Sequence, residues 1–396
     1  RLDLRLSRIS GVYLAGTDLS DIQFDGTDCT GATFSASLLV RAGYTGANCT
    51  STDFSGAICA SARFVGSQCS KAVFKSSYCS DARFSQAICD GSCFSNSECF
   101  YAYFNGASCD QADFTSAVLF GADFSRASCY RANFTDSLCW QSDFTEASLT
   151  FSQFTDADCN GAIFSSAGLE NTIFNGTFLV QADFSQALLR GTYFTAVKLS
   201  TRTVFDKKIC SHYRLDDKLR DGRPRRQTRR EFRNSLAQEY QIISESYNRL
   251  KLAYKHNGIY DRAGQYYYFE RYCARRANRY DRDVRLKRKL INLLSEYMIG
   301  YGEKPLRMMW WIAGTIALFA CFFFLFNCIQ NGDYVSTQSQ IVDSVYFSAV
   351  TFVTLGYGDY APVTDYAKVA TTIEAVLGLS FLSLFIVAVS RLVIRD

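Results

Sequence analysis

Proline and histidine are almost missing from this chain, at 3 and 2 residues in 396. Two histidines, His212 and His256, cannot build a metal centre. No C-x-x-C or Cys/His set at zinc spacing accompanies them, so no zinc site is expected. Charge of one sign is not in excess either, with 42 Lys+Arg against 38 Asp+Glu. Together with 48% apolar residues this excludes a disordered or supercharged chain. The chain opens on Arg1 rather than Met, which reads as a trimmed or fragmentary sequence, and no basic-then-apolar leader begins it. No carboxylate pair, Gly-rich phosphate loop or nucleophile–histidine pairing stands out. The expectation is a protein that is not an enzyme and carries no cofactor.

Length suggests two or three domains, and the charges divide the chain in three. Residues 1–200 hold 12 basic and 19 acidic residues, residues 201–309 hold 27 and 13, and residues 310–396 hold 3 and 6. The near-neutral total hides a strongly basic middle.

From Leu4 to Leu199 every fifth residue is large and apolar or Cys, without an insertion, for 40 consecutive units. Positions ending in 4 are almost all Phe, and those ending in 9 are Cys or Leu. A small residue such as Ala32, Ala62, Ala122 or Ser137 stands two places before each. A period of five matches neither a helix at 3.6 nor a strand at 2. It matches a coil in which each unit forms one side and then turns a corner. Ala122-Asp123-Phe124-Ser125-Arg126 is a clean instance of the A-(D/N)-(L/F)-x-x pattern, and residues 1–205 resemble the pentapeptide-repeat family. The resemblance implies a right-handed quadrilateral β-helix with four units per coil, roughly 48 Å long at about 4.8 Å per layer. Residues twenty apart then stack. Phe24, Tyr44, Phe64 and Phe84 would form one column, with Phe54, Phe74 and Phe94 opposite. Cys29, Cys49, Cys69 and Cys89 would form a third column, each cysteine acting as a small buried hydrophobe. Some family members are thought to mimic DNA and bind gyrase, but a net −7 over two hundred residues is weak for that. The rod reads as a regulatory or assembly element with an unknown cytoplasmic ligand or protein partner.

Residues 206–304 read as a basic α-helical linker. Phe232, Leu236, Tyr240, Ile243, Tyr247, Leu250 and Tyr254 recur three or four apart within 225–255, an amphipathic helix with one buried stripe. Asn257-Gly258 is a stop signal, and a second helix is expected from Asp261 to about Ile299. The arginine-rich 223–230 run suits a solvated helix face, and no nucleic-acid recognition motif supports a nucleic-acid partner. Arg285, Lys287, Arg288 and Lys289 precede an apolar segment and suit contact with anionic lipid headgroups.

Met308 to Ile329 is apolar without a charge, long enough to cross a bilayer, with Trp310-Trp311 where interfacial aromatics belong. A second apolar stretch runs from Val369 to Ile394, interrupted only by Glu374 and Arg391 near its ends. Positive residues lie before the first span and after the second, so both termini are expected in the cytoplasm. Between the spans stands Thr354-Leu355-Gly356-Tyr357-Gly358-Asp359, which resembles the potassium-channel signature T-V-G-Y-G-D with Leu for the usual Val. The resemblance covers 305–396 and implies an all-α, two-span pore domain shared by four copies. Its outer helix would run 306–329, its pore helix 341–353, its filter 354–359 and its inner helix 366–394. Carbonyls of Thr354, Leu355, Gly356, Tyr357 and Gly358 would coordinate K⁺, the permeant ion, with Asp359 flanking them. The resemblance places a hinge at Gly378, and Leu382, Ile386 and Ser390 recur four apart below it as a possible gate. Relatives carry a pore-helix Glu paired with the filter Asp, and here Val350 stands in its place. No S4-like arginine helix is present. The expectation is a homotetrameric, potassium-selective channel of the plasma membrane without a voltage sensor. The alternatives are a non-selective cation channel, or a membrane-anchored scaffold whose β-helix is the binding part.

Overall fold

The computed structural model describes residues 3–206, 209, 215, 229–280, 297–298, 300–302, 306–330 and 337–393. The chain divides into two units, Arg1–Tyr280 and Asp281–Asp396.

In the first unit each extended position bridges, in parallel, the residue twenty further on, from Asp3↔Gln23 to Phe178↔Lys198. Twenty residues are four five-residue units, so one coil takes four units. Each unit ends in a tight turn: the Ala62 N–H returns to the Cys59 carbonyl at 3.0 Å while Ser61, third in that turn, holds φ +56°. A negative then a positive φ across the two central residues is the type II turn, which favours glycine third. Gly56 and Gly66 meet the requirement without cost, whereas Tyr101 and Phe151 hold φ +53° and +62° despite bulky side chains. The register slips by one residue only in the last coil, where strand β1 (Asp183–Phe184) pairs in parallel with β2 (Val204–Phe205).

The large inward residue of each unit fills the interior, beside a small buried residue two places before it such as Ala62 or Ser67. Phe74 stacks on Phe94 at 4.7 Å and Phe84 on Phe104 at 4.9 Å, and the two columns meet edge to face, Phe84 and Phe94 lying 5.3 Å apart at 88°. Offset stacks and T-shaped contacts are the favoured aromatic geometries, so both column directions contribute. Phe205 adds a last rung, 4.5 Å from Phe184. The coil cysteines are free thiols, all buried except Cys93. Burial pushes the Cys49, Cys79 and Cys159 thiols well up, so they stay protonated and pack as small apolar groups.

Tyr44 is the exception among the rings. It is wholly buried, 4.8 Å from both Phe24 and Phe64, and its hydroxyl has no hydrogen-bond partner. An unmade hydrogen bond on a buried hydroxyl costs about 1–3 kcal/mol. Tyr44→Phe is therefore expected to stabilise the coil by about that amount, read as a higher thermal midpoint of the full-length protein in detergent. An unchanged or lower midpoint would refute the assignment.

Helices α1 (Arg229–His256) and α2 (Tyr260–Tyr280) form a hairpin that belongs to this same unit. Gly258 at φ +73° makes the turn. The hairpin closes the open end of the coil. Asn257 donates to the Val197 carbonyl at 2.8 Å and accepts from the Leu199 N–H at 3.0 Å. Ser246 Oγ accepts from the Gly191 N–H at 3.1 Å, Arg249 donates to the Thr192 carbonyl at 3.0 Å, and its guanidinium lies 3.8 Å above the Tyr193 ring. An uncovered last strand layer would leave these groups unpaired, as any sheet edge does. The tyrosine stripe continues the aromatic core: Tyr254 sits edge-on to Phe205 at 5.9 Å and stacks on Tyr266 at 5.6 Å. Burial pushes the Tyr254 hydroxyl up to about 12, keeping it a donor to the Thr203 carbonyl.

The second unit holds a short 3₁₀ turn at Gly300–Gly302, then α3 (Leu306–Phe326), β3 (Ile329–Gln330), α4 (Thr337–Phe352), β4 (Ala361–Pro362) and α5 (Asp365–Val393). The outer helix ends at Phe326, three residues before the expected 329, because Asn327 takes φ +43°, a left-handed helix stop. The fourth helix begins at Thr337, a turn before the expected 341, because polar residues such as Gln340 do not interrupt helical hydrogen bonds although they interrupt an apolar period. Arg285, Lys287, Arg288 and Lys289, and the 223–228 part of the arginine run, lie outside the described residues.

Candidate ion-conduction site

Two of these helices, Leu306–Phe326 and Asp365–Ser390, are long and apolar enough to cross a membrane. The shorter α4 packs between them. Phe323 meets Phe347 edge to face at 5.0 Å, Phe326 meets Tyr366 at 6.0 Å, and Phe352 meets Phe381 at 6.2 Å. The antiparallel pair Ile329↔Pro362 and Gln330↔Ala361, extended by the Val363 N–H to the Cys328 carbonyl at 2.9 Å, ties the end of α3 to the start of α5. The segment between α4 and β4 is thereby pinned at both ends.

That segment is 353–360. Thr354, Gly356 and Gly358 have φ of +59°, +49° and +80°, while Leu355 and Tyr357 between them do not enter the positive region. Five consecutive residues thus alternate in hand, the backbone condition for turning successive carbonyls to one side. Glycine makes the excursion at no steric cost at two of the three positions. Thr354, whose hydroxyl donates to the Val353 carbonyl at 2.6 Å, makes it with a side chain. No atom approaches within 4 Å of where a Cβ would stand at Gly356 or Gly358, and Leu355 and Tyr357 are largely exposed in the single chain. Asp359 faces the hydroxyl of Tyr346, one helical turn before Val350 on α4. A tyrosine of α4 thus meets Asp359.

Two contacts behind this segment were not signalled by the sequence. Glu374, which looked like an interruption of the second span, is fully buried on α5, and its Oε1 pairs with the Ser348 hydroxyl of α4. Ser348 Oγ also donates to the Ile316 carbonyl of α3 at 2.9 Å, so one chain of hydrogen bonds joins all three helices. The other carboxyl oxygen, Glu374 Oε2, is buried without a partner. Gly378, expected as a hinge, is a point of close approach: a Cβ there would run into the Phe352 backbone carbonyl. Leu382, Ile386 and Ser390 follow on one face of α5, Ile386 exposed and the other two half-buried in the single chain.

A family model described as "Ion channel" matches residues 308–395, and one for pentapeptide repeats matches eight copies over 3–39, 97–136, 127–165 and 162–200. The chain carries an ion-channel domain behind a pentapeptide-repeat domain. Solved structures similar to the repeat domain include HetL, a pentapeptide repeat protein involved in heterocyst differentiation regulation from the cyanobacterium Nostoc sp. strain PCC 7120. It is 22% identical over 49% of this chain and 90% of its own, with a TM-score of 0.35. A pentapeptide repeat protein from the Arabidopsis thaliana thylakoid lumen is 31% identical over 26% of this chain and 67% of its own, TM-score 0.20. Full-length QnrB1, a plasmid-mediated fluoroquinolone resistance protein, is 18% identical over 49% of this chain and 94% of its own, TM-score 0.27. No curated protein sequence matches the chain. The ion-channel domain spans 308–395, so Glu374, Ser348 and the alternating segment all fall within it.

Proposed function

We propose that four copies of this chain form a potassium-selective channel. Each copy supplies its outer helix, pore helix and inner helix, and four 354–358 segments face one another around the ion path. The observation that carries this reading is the alternation of backbone hand from Thr354 to Gly358, held between two membrane-length helices. Four such segments present stacked rings of carbonyls, which replace the hydration shell of K⁺. Leu355 contributes its carbonyl, and its side chain alters packing behind the filter rather than the ring itself. The channel would lie in the plasma membrane with both termini in the cytoplasm, and the right-handed quadrilateral β-helix would serve regulation or assembly there. Lipid contact by the basic residues at 285–289 belongs to the same proposal. A narrow ring of Leu382 and Ile386 side chains would close the lower pore by dewetting.

Reversal potentials of the reconstituted protein under opposed K⁺ and Na⁺ gradients test selectivity. A potential near the K⁺ equilibrium value is expected. A potential near zero would make the pore a non-selective cation channel, and no current at all would leave the scaffold reading.

A further inference from the structure

Three of the four faces of the coil are mostly polar in the two outward columns beside each inward residue, with scattered exceptions such as Ile88, Tyr103 and Tyr193. Asp113, Asn133 and Gln153 beside Thr115, Thr135 and Thr155 are typical, as are Ser108, Ser128 and Ser148 on the next face. The fourth face differs. One of its columns runs Leu38, Ile58, Tyr78, Val118, Leu138 and Phe178, broken by Glu98 and Asp158. The neighbouring column includes Val40, Phe100, Phe120, Trp140 and Val180. Each of these residues is exposed or half-buried, with Tyr78, Trp140 and Phe178 more than two-fifths exposed. Stacked at about 4.8 Å per coil, the stripe from Leu38 to Phe178 is about 34 Å long. Contiguous apolar surface of that extent marks an interaction site.

We propose that this face docks against the same face of a second copy of the chain, antiparallel. The order of side chains supports that occupant. Reversing one copy about the midpoint between the coils of Phe100 and Phe120 places Asp18 opposite Lys198 at both ends of the stripe. Leu38 then meets Phe178, Tyr78 meets Leu138, Val40 meets Val180, and Phe100 meets Phe120. Bulk meets small: Trp140 falls opposite Ser80, and Asn160 opposite Ala60. A cleft of about 290 Å³ lined by Phe120, Trp140, Asn160 and Val180 lies along this edge, so the reversed copy has a recess to enter. Parallel pairing about an axis along the rod would set each column against its neighbour, Asp18 against Ser20 and Lys198 against Ser200, so only the reversed pairing brings Asp18 to Lys198. An anionic membrane is a poor occupant for a rod of net charge −7. Ion channels of this type are oligomeric, so copies of the rod are tethered near one another and even a modest interface is populated. The pairing rests on the channel reading only for that tether.

Cross-linking of the full-length protein in detergent and in liposomes tests the proposal. Val40 and Val180 are seven coils apart in one chain, about 34 Å, too far for an internal disulfide. The double variant Val40→Cys/Val180→Cys is expected to give covalent dimers under mild oxidation, while neither single variant does. Adding Trp140→Glu should reduce dimer yield at least tenfold, with thermal unfolding of each variant confirming an intact coil. Dimers from Leu38→Cys/Val40→Cys, with none from Val40→Cys/Val180→Cys, would establish parallel pairing and overturn the proposal. Absence of dimers from the double variant would overturn it too, as would quenching of Trp140 fluorescence by brominated lipid in a Trp310→Phe/Trp311→Phe background, which assigns the face to a bilayer. Cross-linking with no ion flux would keep the pairing and refute the channel. Flux without cross-linking would do the reverse.

Discussion

Potassium flux is expected to vanish in Gly358→Ala channels reconstituted into liposomes, while the oligomer survives in detergent. Gly358 holds φ +80°, and nothing lies within 4 Å of the position a Cβ would take. The substitution therefore meets no clash within the chain and acts through backbone conformation alone. An L-residue in the left-handed region costs roughly 1–2 kcal/mol. In the proposed tetramer four copies would share each ring, so the carbonyl geometry would lose about 4–8 kcal/mol in total if all four relaxed to the other hand. At about 1.4 kcal/mol per factor of ten, that removes flux by roughly three orders of magnitude or more. Gly356→Ala, at φ +49°, lies nearer the ordinary left-handed well and is expected to lose less. The measurement is K⁺ uptake against a K⁺ gradient, beside the oligomer mass. Selective flux within tenfold of the parent in Gly358→Ala would show that this backbone hand is not what conducts.

The coil was legible because its rule is simple: one large and one small inward residue per five, and nothing inserted between Leu4 and Leu199. The twenty-residue coil then follows from closing four sides, and the bridges from Asp3 to Lys198 bear it out. The corners were less legible. Glycine holds many of the left-handed positions, but Ser61, Gln86, Tyr101 and Phe151 hold others, so no single residue type marks them. The hairpin was visible as a tyrosine stripe, yet a stripe states only that a face is covered. That it covers the last coil depends on contacts such as Asn257 with Val197 and Leu199, sixty residues apart in sequence. Coil and hairpin accordingly lie in one compact unit, Arg1–Tyr280.

The 354–358 segment stood out for a different reason. The proposed filter would act through backbone carbonyls, and the glycines whose positive φ the structure shows, Gly356 and Gly358, are two apart in sequence. What braces the filter was not legible, because each brace joins residues on separate elements. Tyr346 and Asp359 are thirteen positions apart, and Glu374 lies twenty-six from Ser348. A single acid in an apolar stretch reads as an interruption until its partner is known. Gly378 shows the same limit: the sequence marks the glycine, and only the neighbouring Phe352 carbonyl shows that close approach is what it supplies.

Glu374→Gln is expected to conduct like the parent, whereas Glu374→Ala is expected to weaken the pore. The reason lies in counting hydrogens. Ser348 has one hydroxyl hydrogen and donates it to the Ile316 carbonyl. Its contact with Glu374 then needs a hydrogen from position 374, which a carboxylic acid or an amide can supply and a methyl group cannot. Alanine would leave the Ser348 oxygen buried with an unused acceptor site and open a void between α4 and α5. A buried polar group left unpaired costs about 1–3 kcal/mol, up to about a hundredfold in the occupancy of the arrangement that holds the filter. The comparison is made on single-channel open probability and on the thermal midpoint of the oligomer, parent against both variants. If Gln is as damaging as Ala, position 374 acts through a charge, and the three-helix hydrogen-bond chain is not what steadies α4. If Ala is as good as Gln, the chain contributes nothing to conduction, and packing around Phe352, Phe381 and Gly378 alone sets the pore helix against α5.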